Sequence, residues 1–285
     1  MSKEIGGLDP EDEGSLEGIR SVAGGSINAA YRVSTTRSSY FLKVNKADRY
    51  PGMFEAEERG LRLLKGSGEI GVPEPFATGQ EGNEAFILME CIGSGQADEL
   101  FWERFGKELA RMHSHTADRF GLDHSNYIGS LPQYNEERAD WPSFFAEMRL
   151  EPQVRMAREA GKMDASDQRG FERLYGRLDS LFPEESPALI HGDLWSGNYM
   201  VDSGGEPCLV DPAVYYGHRE MDLGMSTLFG RFGDAFYEAY DAENPLYEGW
   251  QERLDLSNLY PLMVHVNLFG GGFASEVRSI LKRFS

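Results

Sequence analysis

Three residues set the chemistry open to this chain. His191, Asp193 and Asn198 stand in the run His191-Gly192-Asp193-Leu194-Trp195-Ser196-Gly197-Asn198, directly after the apolar Ala188-Leu189-Ile190. Asp211 follows a second apolar run, Leu209-Val210. Asp193 and Asn198 are five positions apart, and Asn198 and Asp211 thirteen. Two carboxylates and a carboxamide, each in a loop just past a short strand, suit transfer of a phosphoryl group to a hydroxyl. A carboxylate at 193 takes or orients the hydroxyl proton. Asn198 and Asp211 offer hard oxygen ligands for Mg²⁺. The metal offsets charge on the transferring group. A lone His-Gly-Asp is no more than a turn; the Asn, the second Asp and the flanking strands give it meaning.

The order H-x-D-x-x-x-x-N followed by a metal-binding Asp is that of a protein-kinase catalytic loop. The other parts of such a site have candidates upstream. Lys43 lies in the strand-like Phe41-Leu42-Lys43-Val44, where it can reach phosphates as a point charge. Residues 54–65 read as a helix, and Glu57 on it is the expected partner of Lys43. Glu55 competes for that role, but Leu61 and Leu64 follow Glu57 by four and seven residues, which sets Glu57 near the buried stripe. Gly24-Gly25-Ser26 joins the first two strands, and its backbone amides can approach phosphates. It lacks the G-x-x-x-x-G-K-[ST] pattern, which excludes a Walker-type loop. Glu90 and Ile92 border the following linker and are assigned to adenine by position alone.

The elements that must carry these residues come in two kinds. Strand patterns at 19–23, 31–34, 40–44, 76–79 and 85–89, with the one helix, make a small β-rich N-terminal lobe over 1–92, preceded by an acidic lead-in at 1–18. Ile92-Gly93-Ser94-Gly95 reads as a glycine hinge. Residues 93–285 form a larger lobe with helical patterns at 100–115, 141–160, 168–181 and from 220 onward, interrupted by short strands at 188–190 and 208–210. The fold class is α+β, and a crevice between two such lobes is a natural ligand site. Within the polar run 213–222, His218 and Arg219 are either substrate contacts or structural hydrogen-bonders, and Asp222 either caps a helix or braces the catalytic loop. His113 and His115 are expected at the surface or behind the site.

Composition excludes several classes. The chain has 285 residues, 40% apolar and 26% charged, an ordinary globular balance. There are 47 acidic residues against 28 basic ones, a net charge of −19, with no Lys/Arg cluster, so nucleic acid is not an expected partner. Only seven of the basic residues are Lys. Acid excess with scarce Lys fits a halophile-like protein, because carboxylates keep a surface hydrated in salt. Cys91 and Cys208 are too few for a disulfide framework and are expected to be buried thiols. No apolar run is long enough for a membrane helix and the acidic N-terminus lacks signal-peptide features, so a cytoplasmic location is expected.

With these residues in view, the chain resembles the fructosamine kinase / ketosamine-3-kinase family. The likeness rests on 189–198, on Val210-Asp211-Pro212-Ala213-Val214-Tyr215-Tyr216-Gly217-His218-Arg219-Glu220, on Met53-Phe54-Glu55-Ala56-Glu57, on Asn126-Tyr127-Ile128-Gly129-Ser130 and on Asn267-Leu268-Phe269-Gly270-Gly271. Asp211-Pro212-Ala213 and Trp195 set it apart from the aminoglycoside and choline phosphotransferases. The resemblance implies a bilobal protein-kinase-like fold and ATP-dependent phosphorylation of the 3-hydroxyl of a ketosamine, a fructosamine or ribulosamine adduct of an amine or a protein lysine. The unstable product then falls apart, which repairs glycation. It implies Asp193 as base, Asn198 and Asp211 as Mg²⁺ ligands, Lys43 with Glu57 for ATP, and Trp195 against the sugar. Ser26 stands where many members carry Cys. The competing readings are a kinase of another small molecule, a catalytically dead kinase fold, and a metal-dependent phosphohydrolase.

Overall fold

The computed structural model describes residues 14–23 and 27–285. Five strands open the chain: β1 Leu16–Val22, β2 Ala29–Thr35, β3 Ser39–Lys46, then, after helix α1 Met53–Ser67, β4 Pro75–Glu81 and β5 Glu84–Glu90. Next come α2 Phe101–Met112, β6 Asn126–Ile128, β7 Leu131–Gln133, α3 Trp141–Phe144, a π-helical turn Phe145–Leu150, α4 Glu151–Glu159, α5 Ala165–Tyr175 and α6 Leu178–Leu181. Four short strands follow, β8 Ala188–Ile190, β9 Tyr199–Val201, β10 Pro207–Leu209 and β11 Tyr215–Gly217. Five helices complete the chain: α7 Glu220–Met225, α8 Asp234–Glu243, α9 Trp250–Ser257, α10 Leu259–Phe269 and α11 Phe273–Phe284.

The chain divides into two compact units. The first holds Met1–Phe101 and Tyr199–Asp211, the second Trp102–Asn198 and Pro212–Ser285. In the first unit β1 to β5 form one antiparallel sheet in the order β1-β2-β3-β5-β4. Alternation along β3 explains its double duty. Tyr40 and Leu42 pack with Val33 and Leu88 on one face. Phe41 and Lys43 therefore point to the other, where Ala30 pairs with Lys43 and Met89 with Phe41 across the ladder. α1 buries Phe54, Leu61 and Leu64, which places Glu57 beside that stripe. The hairpin of β9 and β10 also belongs here, and Cys208 bridges to Gly71.

The second unit is mainly helical, around a core that includes Phe144, Phe145, Phe171, Tyr215, Leu262 and Met263. β8 pairs with β11, so the loops at 191–198 and 212–214 spring from one two-stranded ribbon. Arg149, fully buried in the π-helical turn, lies 3.8 Å from the Tyr215 ring centroid and 4.6 Å from that of Phe144. Its Nη2 donates to Asn135 Oδ1 at 2.7 Å. Stacking on aromatic faces replaces the carboxylate a buried cation normally needs.

Several expectations change. The helix expected over 141–160 is present from Trp141 to Glu159 as α3, the π turn and α4 in unbroken succession, with Pro152, which has no N–H for the helical ladder, in the first turn after the π segment. β1 begins at Leu16, inside the expected lead-in. β11 lies in what reads as a polar run, and β6 and β7 are too short to show as patterns. Cys208 is buried, but Cys91 falls just past β5 and is only half-buried, which corrects the expectation of two buried thiols.

Candidate active site

Lys43 is the centre of charge in the first unit. Its ammonium donates to Glu57 Oε1 at 2.5 Å and to Asp211 Oδ1. The Lys43 and Glu57 side chains are 8% and 11% exposed, whereas that of Asp211 is 53% exposed. Burial alone would loosen the Lys43 proton, but the charges of Glu57 and Asp211 outweigh it and hold the ammonium charged well above the ordinary range. Glu55, the rival candidate, is exposed on the opposite side of α1. Asp211 has φ 55°, the left-handed region that a side chain rarely adopts outside Asn and Asp. Among the described residues it is the one non-glycine with positive φ.

Beside Lys43 lies a cavity of about 390 Å³. The sheet supplies Ala30, Phe41 and Met89 as an apolar lining, and Val210 and Met200 add to it. Lys43 and Asp211 supply the charge, and Glu90, Cys91 and Ile92 edge the cavity through the strand end and the linker. The expected nucleotide residues Lys43, Glu90 and Ile92 thus line one cavity, with Glu57 behind Lys43. Gly24, Gly25 and Ser26 lie outside the described residues. Gly95 follows the linker with its N–H on Val201 O at 2.9 Å, and a Cβ there would stand 1.8 Å from Asp202 O. Glycine at 95 is therefore demanded by close backbone approach.

In the second unit the loop after β8 is tied down at both ends. Asp222 is fully buried; its Oδ2 accepts from His191 N at 2.7 Å and its Oδ1 from Gly192 N at 2.9 Å. Of the two open roles for Asp222, bracing the loop is the one the geometry shows. Gly192 has φ 82°, and a Cβ there would sit 2.1 Å from Ala213 O. Asn198 Nδ2 donates to both Asp193 O and Asp193 Oδ2 at 2.9 Å, which orients the Asp193 carboxylate. The amide oxygen of Asn198 is then the end left to face a cation. Trp195 lies over Gly197, whose Cβ would be 2.4 Å from the indole, and meets Phe229 edge-on with centroids 5.9 Å apart.

His218 and Arg219 do not stand as substrate contacts. His218 is fully buried against Phe182 and Trp141. Arg219 forms a two-pronged pair with Glu185, Nη2 to Oε1 at 2.6 Å and Nε to Oε2 at 3.0 Å, and donates to Asn244 O and Pro245 O. Its donors are committed inside the fold, which corrects the substrate reading. His113, expected at the surface or behind the site, is 2% exposed and bonds Asp222. Tyr240, Glu185 and Arg149 were missed. Tyr240 lies in α8 and Glu185 in a loop, each in sequence of ordinary composition, and no local signal marks them.

Among the described residues no group of three or more His, Cys, Asp or Glu side chains could hold a metal ion alone. The expected Mg²⁺ residues, Asn198 and Asp211, each carry a hard side-chain oxygen of the kind that ion takes.

A family model for fructosamine kinase matches residues 8–285. An Enterococcus faecium protein assigned as a ketoamine kinase is 41% identical over 265 residues, covering 92% of this chain and 94% of that one. The chloroplastic protein-ribulosamine 3-kinase of Arabidopsis thaliana is 41% identical over 268 residues, covering 92% of this chain and 81% of that one. The crystal structure of a Thermobifida fusca protein assigned as a fructosamine-3-kinase superposes with a TM-score of 0.89 at 33% identity, covering 99% of this chain and 98% of that one. An aminoglycoside phosphotransferase shares the fold alone, at a TM-score of 0.62 and 15% identity over 99% of each chain. The fold class is the α+β, protein-kinase-like one.

Proposed function

The chain belongs to the fructosamine kinase family, and we propose which of its residues carry the reaction. The activity is phosphorylation of the sugar 3-hydroxyl of a ketosamine, a fructosamine or ribulosamine adduct of an amine or protein lysine, with ATP as donor; it serves deglycation. Asp193 is the base: it takes the hydroxyl proton as the sugar oxygen bonds to the γ-phosphorus. The bond from that phosphorus to the bridging oxygen breaks, and ADP leaves. Lys43, held charged and in place by Glu57, binds the phosphate oxygens, while the lining of its cavity takes the adenine and ribose. Asn198 Oδ1 and the half-exposed carboxylate of Asp211 are the protein ligands for Mg²⁺, which when bound supplies charge neutralisation on the phosphates. Trp195 offers its face to the apolar C–H surface of the sugar.

The observation that supports the reading most is the pair of hydrogen bonds that Asn198 Nδ2 donates to Asp193, because it orients the carboxylate that must meet the hydroxyl. The acid excess fits a salt-rich cytoplasm, which we propose as the working environment. No helix among the described residues is long and apolar enough to cross a membrane.

A panel of ketosamines, free sugars, aminoglycosides and choline, incubated with MgATP and read by mass spectrometry, tests the substrate. Phosphorylated ketosamine that then decomposes is the expected product. Phosphorylation of an aminoglycoside or choline, with no ketosamine above background, refutes the reading. Asp193→Asn should keep MgATP binding and lose about 10²–10⁴-fold in turnover.

A further inference from the structure

The Asp222 carboxylate that holds the catalytic loop has a third donor. His113 Nε2 lies 3.1 Å from Asp222 Oδ2, and His113 Nδ1 lies 2.7 Å from Tyr240 Oη. Asp222 and Tyr240 are fully buried and His113 nearly so, which keeps these bonds away from competing water.

Donor and acceptor rules select one assignment. The Asp222 carboxylate only accepts, so His113 presents Nε2–H to it. In that tautomer Nδ1 carries a lone pair, and the Tyr240 hydroxyl donates its proton there. The pairing selects the tautomer protonated at Nε2. The other neutral tautomer would set an Nε2 lone pair against the carboxylate and leave the phenol proton without an acceptor, a costly arrangement where no water can repair it.

We propose that Tyr240 is a positioning residue for phosphoryl transfer: its hydroxyl fixes the His113 tautomer that, through Asp222, holds the backbone of the loop carrying Asp193. The chain runs Tyr240, His113, Asp222, then the amides of His191 and Gly192. The inference rests on the reading of Asp193 as the base.

Tyr240→Phe keeps the ring and removes the hydroxyl. Turnover should fall about tenfold, as for other hydrogen-bonded supports of a working group, while KM for MgATP and for the ketosamine stays within about twofold. His113→Gln supplies an amide N–H that cannot tautomerise, so adding Tyr240→Phe to it should change kcat by less than about twofold. An unchanged kcat in Tyr240→Phe, or an equal fall in the His113→Gln background, overturns the proposal. Nitrogen-15 NMR of histidine-labelled wild-type protein reads the tautomer without any variant: His113 Nδ1 should be unprotonated and Nε2 protonated. A protonated Nδ1 overturns the proposal even if the variants fail to fold. Full turnover in Asp193→Asn would instead refute the assignment of the base, and the NMR result would stand apart from it.

Discussion

Replacing Lys43 by Met keeps the length of the apolar stem and deletes the ammonium that both Glu57 and Asp211 accept from. Removing one partner of a buried ion pair costs about 3–5 kcal/mol, because a charge is left without its counterion. Here the two carboxylates differ. Asp211 is 53% exposed and rehydrates, whereas Glu57 at 11% does not, so the loss should be nearer about 2–3 kcal/mol at neutral pH. The sign of its pH dependence follows from Glu57. Burial, the largest influence, and the Asp211 charge both push its carboxyl upward, and without Lys43 nothing opposes them. The folded variant then binds a proton that the unfolded chain releases. Its stability is fullest at low pH and is lost as pH rises through the raised value. The deficit against wild type should therefore shrink from about pH 8 to about pH 5, measured by urea unfolding. Adding Glu57→Leu should return stability to within about 1 kcal/mol, since an apolar pair replaces the ion pair. Activity should not return: losing a charged hydrogen bond to phosphate is worth about 2–3 kcal/mol, roughly 30- to 160-fold in kcat/KM. A deficit that is constant with pH, or a double variant as unstable as the single one, would refute this account of the cluster.

Trp195→Ala should raise KM for the ketosamine by roughly 2- to 13-fold and leave KM for ATP nearly unchanged, because one aromatic face contributes about 0.5–1.5 kcal/mol; an effect confined to ATP contradicts the sugar-stacking role. Burial lowers the His218 imidazole to about 4, against the upward pull of Glu185. Below its unfolded value the unfolded chain binds the extra proton, so stability falls between about pH 6.5 and about pH 4, by roughly 3 kcal/mol at most. His218→Phe should flatten that acid limb in melts across pH, and an identical limb in the variant would show that other groups cause it. With a net charge of −19, the melting midpoint should rise through a KCl series as self-repulsion is screened, and a flat or falling midpoint argues for an ordinary acidic protein.

The sequence by itself determined the kind of fold and pointed to the reactive groups proposed above. Short apolar runs at 188–190 and 208–210 put Asp193 and Asp211 in loops past strands, because apolar strand ends must give way to polar loops. Strand alternation made Lys43 legible, and the three-and-four spacing to Leu61 and Leu64 separated Glu57 from Glu55. These signals are local, and local spacing survives in a string of letters. Tertiary structure alone decided what meets across long separations. Residues 199–211 pack with the N-terminal unit although 108 residues lie between β5 and β9, and nothing in their composition says so. Arg219 and His218 read as polar groups available to substrate until folding buries them beside Glu185, 34 and 33 positions earlier in the chain. His113, Asp222 and Tyr240 meet because the turn just after α2 comes together with α7 and α8 behind the loop that carries Asp193. A buried polar group must find a partner wherever the chain brings one, and that pairing is a property of the packed fold, to which hydrophobic periodicity is blind.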